Sequence, residues 1–424
     1  MKRLVGLISL LLCMAQSALA QNPVVDWDSI AATTIITNGA TAANVTKTAP
    51  GAVTAGGSSL YLAIVHLAMY NAAVSIRRSY EPYRYSVQAP ANSSMSAAVI
   101  AAAHRVLVNY FPDQQRSLDA IYAQSLSAIP DGRAKTNGIQ VGETSAFILI
   151  TLRANDGRGA DVPYTYPSTP IPGVWIPTPP AFLPPQTPWV GKMLPFTMTS
   201  ADQFLPVSGP PDLGSSAWAR DFNETRILGA ADSTLRTAPQ TEIGLFWTEH
   251  TGQQYARAFR DLATRKKLSV LESSRLFAML FTGYADAFIG CMNAKYTFSF
   301  WRPVTAVQNA DIDRNPDTPQ DPNWLPLATT PNHPEFPAAH GCVTGAVATT
   351  LGNYFGQKPF RLEVTSLVTN TTHQFRTPQE LEAEVFGARI YAGFHFRHSL
   401  NQGFLLGFRV ANHMLRENFR PLDH

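Results

Sequence analysis

The strongest constraint on the fold of this chain is the proline density between residues 163 and 211. Prolines stand at Pro167, Pro170, Pro172, Pro177, Pro179, Pro180, Pro184, Pro185, Pro188 and Pro195. Each fixes φ and lacks an N–H, so regular helix is forbidden there. Tyr164, Tyr166, Trp175, Phe182 and Trp189 are interleaved, which is too apolar for a solvated linker. The stretch reads as an extended strap lying on the body of the protein.

On both sides of the strap the apolar spacing is helical. Before it, 58–78, 93–111, 113–129 and 138–154 read as helices. After it, 216–228, 240–266, 269–293, 338–355, 378–394 and 400–419 do. Strand signals are sparse, and Gly51 to Gly57 is a run of small residues. The expected fold is all-α: helical bundles with long proline-rich extended loops. Two helical clusters are joined by the strap within one catalytic unit spanning 21–424. Two apolar stretches, Leu60–Ile76 and Leu276–Met292, carry His66 with Asn71 and Asp286 respectively. Polar groups at that depth are costly in lipid, so both are expected to be buried core helices.

The first twenty residues form a basic start at Lys2-Arg3, an apolar run from Leu4 and an Ala18-Leu19-Ala20 end. That pattern is a cleavable export signal, too short to span a bilayer. The expectation is a periplasmic or secreted protein with no membrane span after cleavage. Losing Lys2 and Arg3 lowers the formal charge from +3 to +1. No basic run remains, so nucleic acid is excluded as a partner. Only Cys291 and Cys342 lie beyond the leader, too few for a disulfide scaffold.

Three segments carry chemistry. In Lys295-Tyr-Thr-Phe-Ser-Phe-Trp-Arg302-Pro303, two cations sit among four aromatics. No acid lies between Asp286 and Asp311, so a distant side chain or a bound anion must partner them. In His333-Pro-Glu-Phe-Pro-Ala338-Ala339-His340-Gly341, a helix is expected to begin near Ala338, offering free amides and a positive dipole. In Arg389-Ile-Tyr-Ala-Gly393-Phe-His395-Phe-Arg397-His398-Ser399, Arg389 ends one helix and His395 lies in the junction to the next. Thr377 with Glu380, and Ser399 with Gln402, read as capping boxes. Together these segments describe a pocket for a tetrahedral dianion. Guanidinium forks suit its oxygens, one imidazole can bond its central atom, and another can move a proton.

At these residues the sequence resembles the superfamily of vanadium-dependent haloperoxidases and type-2 phosphatidic-acid or bacterial acid phosphatases, in its soluble haloperoxidase-like branch. The family signature is K-x6-R-P, P-S-G-H and S-R-x5-H-x3-D. Lys295-x6-Arg302-Pro303 matches in full, Pro337-Ala338-Ala339-His340 at its ends, and Ala388-Arg389-x5-His395-x3-Ser399 at Arg and His. The resemblance implies that Lys295, Arg302, Arg389 and the Ala339 amide hold the oxygens of vanadate or phosphate. His395 would ligate vanadium, or attack phosphorus in a phosphatase, and His340 would be the acid/base. His333 would tune halide choice, its bland alternative being a turn residue. The implied partners are hydrogen peroxide with a halide, or else a small phosphate ester. Met292 stands where related sequences often have Trp.

The departures are specific. Ala338 lacks the family's hydroxyl, Ala339 replaces Gly, Ala388 replaces the Ser opening the third motif, and Ser399 replaces the Asp that would orient the nucleophilic histidine. The leading expectation is a vanadate-dependent haloperoxidase-like enzyme. The alternatives are an acid phosphatase acting through a phospho-histidine, and a non-catalytic oxyanion-binding protein. His373, His398 and His413 fit no zinc spacing, Glu335 reads as a solvated loop acid, and a Cys291–Cys342 disulfide bracing the pocket is a hypothesis.

Overall fold

The computed structural model describes residues 22–38, 57–356 and 358–422. The expected export leader, and the 51–57 stretch apart from Gly57, lie outside them. Among the described residues there are thirteen α-helices: α1 (Pro23–Ala32), α2 (Ser58–Ile76), α3 (Met95–Tyr110), α4 (Gln115–Ser127), α5 (Arg133–Leu152), α6 (Ser216–Gly229), α7 (Ala238–Phe246), α8 (Thr251–Arg265), α9 (Val270–Phe298), α10 (Pro303–Gln308), α11 (Ala339–Tyr354), α12 (Pro378–Tyr391) and α13 (Arg397–Glu417). A small antiparallel hairpin, β1 (Leu362–Ser366) with β2 (Thr371–Phe375), sits before α12 and pairs Leu362 with Phe375 and Ser366 with Thr371. The all-α expectation holds, and the hairpin is an addition that the sparse strand signals did not reveal.

Helix α9 is the axis. Ser269 and Glu272 form a capping box at its start, closing two free amides reciprocally. It packs against α2, α11 and α13, so it is apolar on nearly every face. Both α2 and α9 are long and apolar enough to cross a membrane, and both are buried inside the fold. Helix α9 ends at Ser299, which adopts a left-handed φ of 48°. That turn carries the chain from Lys295 to Arg302.

Close packing aligns the other two motifs. A Cβ on Gly407 of α13 would lie 2.0 Å from the Cys342 carbonyl of α11. Only glycine allows backbones that close. The strap is extended, as expected. Trp175 N–H donates to Ser299 O at 2.8 Å, and Gln186 N–H to Asn332 O at 2.8 Å. The buried Asp286 carboxylate accepts the Phe196 and Thr197 amides, both at 2.7 Å.

Two boundaries differ from expectation. The single helix expected over 240–266 is two, α7 and α8, broken at 247–250. The predicted Ser399 cap is absent, because α13 starts at Arg397 behind Phe396, which makes no side-chain cap. Ser399 lies inside the first turn and is buried.

Candidate active site

Lys295, Arg302, Arg389 and His395 are all at most 1% exposed, although they come from two separated segments. Lys295, in the last turn of α9, donates to the carbonyls of Pro334 and Glu335 at 2.8 and 2.9 Å. Arg302 stands before α10. Its Nε donates to His333 O at 2.8 Å, its Nη1 to Phe394 O at 3.0 Å, and its Nη2 to His333 Nδ1 at 2.9 Å. Arg389, late in α12, donates from Nη1 to Trp247 O at 2.7 Å and lies 4.6 Å from the Phe394 ring centre. Its Nε is buried with no partner.

His395 sits in the tight junction between α12 and α13. Gly393 makes that junction possible. Its φ is +75°, and a Cβ there would lie 2.6 Å from Gly229 O. His340 occupies the first turn of α11, and its Nε2 is buried and unpartnered. The first amide bonded within that helix belongs to Cys342, to Ala338 O at 3.0 Å. The Ala339 and His340 amides therefore precede the helix's own ladder. Ala339 is helical and takes no positive φ, so replacing the family glycine strains nothing.

A cavity of ≈ 170 Å³ lies beside these groups; Lys295 and Arg302 are packed behind its lining and do not reach it. His333, Ala339, His340, Arg389 and His395 line it, with Met292, Phe288 and Tyr284 from α9 on one wall. Thr248, Glu249 and His250, from the break between α7 and α8, form another with Thr251 at the start of α8. The loop after Trp247 was read as continuous helix, so sequence reasoning missed this wall.

The larger miss is Glu335. It is fully buried, not a solvated loop acid. Its Oε1 accepts His395 Nδ1 at 2.8 Å and the Phe396 amide at 3.0 Å, while Oε2 has no partner. The signal was present in the sequence: an acid enclosed by Pro334, Phe336 and Pro337 has little freedom to reach water, and the cations of the first motif needed a distant partner. The Ser399 hydroxyl donates to the Glu335 carbonyl at 3.4 Å.

Cys291 and Cys342 are buried free thiols, with Cys291 Sγ 3.7 Å from Pro337 O, so the disulfide hypothesis is not met. His373 lies between Glu242 and Glu384, and His398 and His413 bind the Gly209 and Thr197 carbonyls.

The electrostatics are those of a pocket in want of an anion. Burial, with repulsion from Arg302, holds the Lys295 ammonium down at about 8 and Arg389 at about 9. Burial lowers Arg302 to about 10. Burial also lifts Glu335 to about 7, against the pull of Lys295. His333, His340 and His395 are pushed well below the usual imidazole range, first by burial and then by the neighbouring cations. The imidazoles are thus neutral. Three cations against one carboxylate leave two positive charges in excess, which suits a tetrahedral dianion. The unpartnered Arg389 Nε is a donor that such a ligand would satisfy, and the bare His340 Nε2 is an acceptor for a proton carried on one of its oxygens. Vanadate and phosphate both fit this set.

A family model described as the VCPO second helical-bundle domain matches residues 275–423, a span containing all three motifs. The vanadium chloroperoxidase of Curvularia inaequalis is 30% identical over a segment covering 40% of this chain and 32% of that protein. The matched part is thus about a third of the relative's length. The crystal structure of the first bacterial vanadium-dependent iodoperoxidase shares the fold with a TM-score of 0.76 at 20% identity, over 95% of this chain and 96% of that one. A holo-type bacterial vanadium-dependent chloroperoxidase does so with a TM-score of 0.68 at 13% identity, over 85% and 92%. All three motifs lie inside the span matched to the VCPO second helical-bundle domain, and the fold is shared with bacterial vanadium-dependent haloperoxidases along nearly the whole length.

Proposed function

We propose that the chain is a vanadate-dependent haloperoxidase that uses hydrogen peroxide to oxidise halide, and that it is exported through the Met1–Ala20 leader. The observation that carries this reading is the buried cluster of Lys295, Arg302 and Arg389 beside a cavity lined by three neutral imidazoles, His333, His340 and His395, with Arg389 Nε left as an unpartnered donor. Bound vanadate would supply Lewis-acid activation of peroxide. The chain's residues do the rest. Lys295, Arg302, Arg389 and the Ala339 amide hold oxyanion oxygens. His395 Nε2 would be the ligand to vanadium. His340 Nε2 faces the same cavity and moves the proton that peroxide gives up. His333, gripped by Arg302 on the cavity wall, is placed to influence the halide.

An acid phosphatase working through phospho-His395 is the second reading, favoured by one observation. Glu335 supplies beside His395 the carboxylate that Ser399 cannot. One assay separates the readings. The purified chain, stripped of phosphate, is given peroxide, bromide and a dye, and separately an aryl phosphate, with and without orthovanadate. Vanadate-dependent bromination is the expected result. Hydrolysis that vanadate inhibits selects the phosphatase. Oxyanion binding with neither reaction selects a non-catalytic binding protein.

A further inference from the structure

We propose that Glu335 is the positioning residue for His395, fixing its proton on Nδ1 and leaving Nε2 as the bare nitrogen of a ring that lines the cavity. The proposal rests on the site assignment above and extends it. In the family signature this post belongs to an acid four residues after the histidine. Here it has passed to a carboxylate sixty residues earlier in the chain.

Two contacts on opposite edges of the ring carry the inference. Nδ1 lies 2.8 Å from Glu335 Oε1, an acceptor when ionised, so Nδ1 must hold the proton. Nε2 lies 3.3 Å from Arg302 Nη1, and a guanidinium has only hydrogens to offer, so Nε2 must be bare. The second contact would be repulsive in the other tautomer. The carboxylate is itself pinned, because the Phe396 amide, next along the chain from His395, donates to the same Oε1 at 3.0 Å. The Glu335 amide donates to Phe300 O at 2.9 Å and its carbonyl accepts from Lys295. Acid, imidazole and the first-motif lysine therefore share one rigid frame. A carboxylate behind a ligating imidazole fixes its tautomer and raises its basicity.

The role has an unusual signature. Replacing Glu335 by Gln keeps the shape and an acceptor oxygen but removes the carboxylate in contact with His395, leaving Glu249, which is paired with Arg257, as the other acid on the cavity. The pocket becomes more positive, so an anion held by charge alone should bind at least as well. An oxyanion whose central atom is bonded by His395 Nε2 should bind worse, because that nitrogen becomes a poorer donor. Inorganic phosphate is the first probe and orthovanadate the second.

For Glu335→Gln the expected result is an unchanged or tightened phosphate affinity with orthovanadate affinity weakened by about 10- to 100-fold. The double variant Glu335→Gln/Ser399→Asp should recover part of the orthovanadate loss, by returning a carboxylate to the family's position. Equal weakening of both probes would mean a merely structural residue and overturn the proposal, as would no change in either. The ¹⁵N shifts of His395 in the unliganded wild-type chain give a separate reading that needs no variant to fold. A protonated Nδ1 with bare Nε2 supports the assignment, and the reverse overturns it. Should wild type bind phosphate but not orthovanadate, the haloperoxidase reading fails while the ¹⁵N pattern still decides the role of Glu335.

Discussion

Two buried arginines, Arg153 and Arg389, show how the same side chain serves opposite ends. Both are 1% exposed. Arg153, after α5, donates from Nε to Asp156 at 3.0 Å and from Nη1 and Nη2 to the Pro195 and Leu194 carbonyls at 3.0 and 2.7 Å. Its plane lies 4.0 Å from the Phe196 ring centre. It is a paired cation that clips the end of the strap to the helical body. Arg389 has one carbonyl, an unpartnered Nε and no acid beside it. A cation left so under-satisfied is costly to the empty fold. That cost is repaid when an oxyanion arrives, which makes the deficit itself the mark of a binding site.

The sharpest way to break this comparison is to remove each side chain. Arg389→Ala should weaken orthovanadate and phosphate binding by about 100-fold or more while the far-ultraviolet helical signal and thermal midpoint stay near wild type. Full vanadate affinity in that variant, by equilibrium dialysis, would show that the two arginines do not differ as argued. Arg153→Met should do the reverse. It removes the donor from Asp156 Oδ2 and from two carbonyls, leaving Asp156 only its contacts to Arg158, and should cost about 3 kcal/mol of stability in urea titration, with oxyanion affinity unchanged in the folded fraction.

A smaller effect comes from pH. Lys295 sits at about 8 in the unliganded pocket, and the bound dianion favours its charged form. Affinity for inorganic phosphate, itself dianionic just above neutrality, should therefore hold below pH 8. Above it, affinity should fall by up to about tenfold per pH unit as the lysine must first be protonated. Calorimetric titration across that range should give the slope, and Lys295→Gln should flatten it while lowering the plateau. A slope that survives the substitution would mean that another group titrates.

Legibility in the sequence followed the range of the interaction. Lys295 and Arg302 share one short segment whose spacing survives in the chain, so their convergence could be read directly. The strap was legible because each proline acts on its own φ and N–H. The helix start at Ala339 followed from Pro337 and the small residues after it. Glu335 escaped because its meaning lies in a contact across sixty residues, and a loop acid looks the same on paper whether wet or dry. The break at Trp247 escaped because Thr248, Glu249 and His250 carry no glycine or proline. Tertiary packing, with Glu249 Oε2 accepting the Leu367 amide at 2.8 Å and Trp247 Nε1 donating to Glu384 at 2.9 Å, stops the helix instead. The β1–β2 hairpin that supplies Leu367 was equally hidden.

The smallest expected change concerns the missing hydroxyl of the second motif. Ala338 is fully buried and caps α11 with φ −70° and ψ 118°, without any side-chain hydrogen bond. Ala338→Ser at that position can act in two ways. Its hydroxyl can accept a first-turn amide, which is worth about 1 kcal/mol to the helix and thus to the fold. Alternatively it can donate to the oxyanion, where a single donor is worth about 1 kcal/mol of net affinity, or several-fold. The comparison between the arginines favours the second, because the pocket lacks satisfied partners while the helix start already has its backbone tie from Ala338 N–H to Ser399 O at 3.0 Å. Tighter orthovanadate binding at an unchanged thermal midpoint is therefore expected. A raised midpoint with unchanged affinity would show that the hydroxyl turns into the helix, and that the deficit in this pocket ends at Arg389 and His340 without extending to the α11 cap.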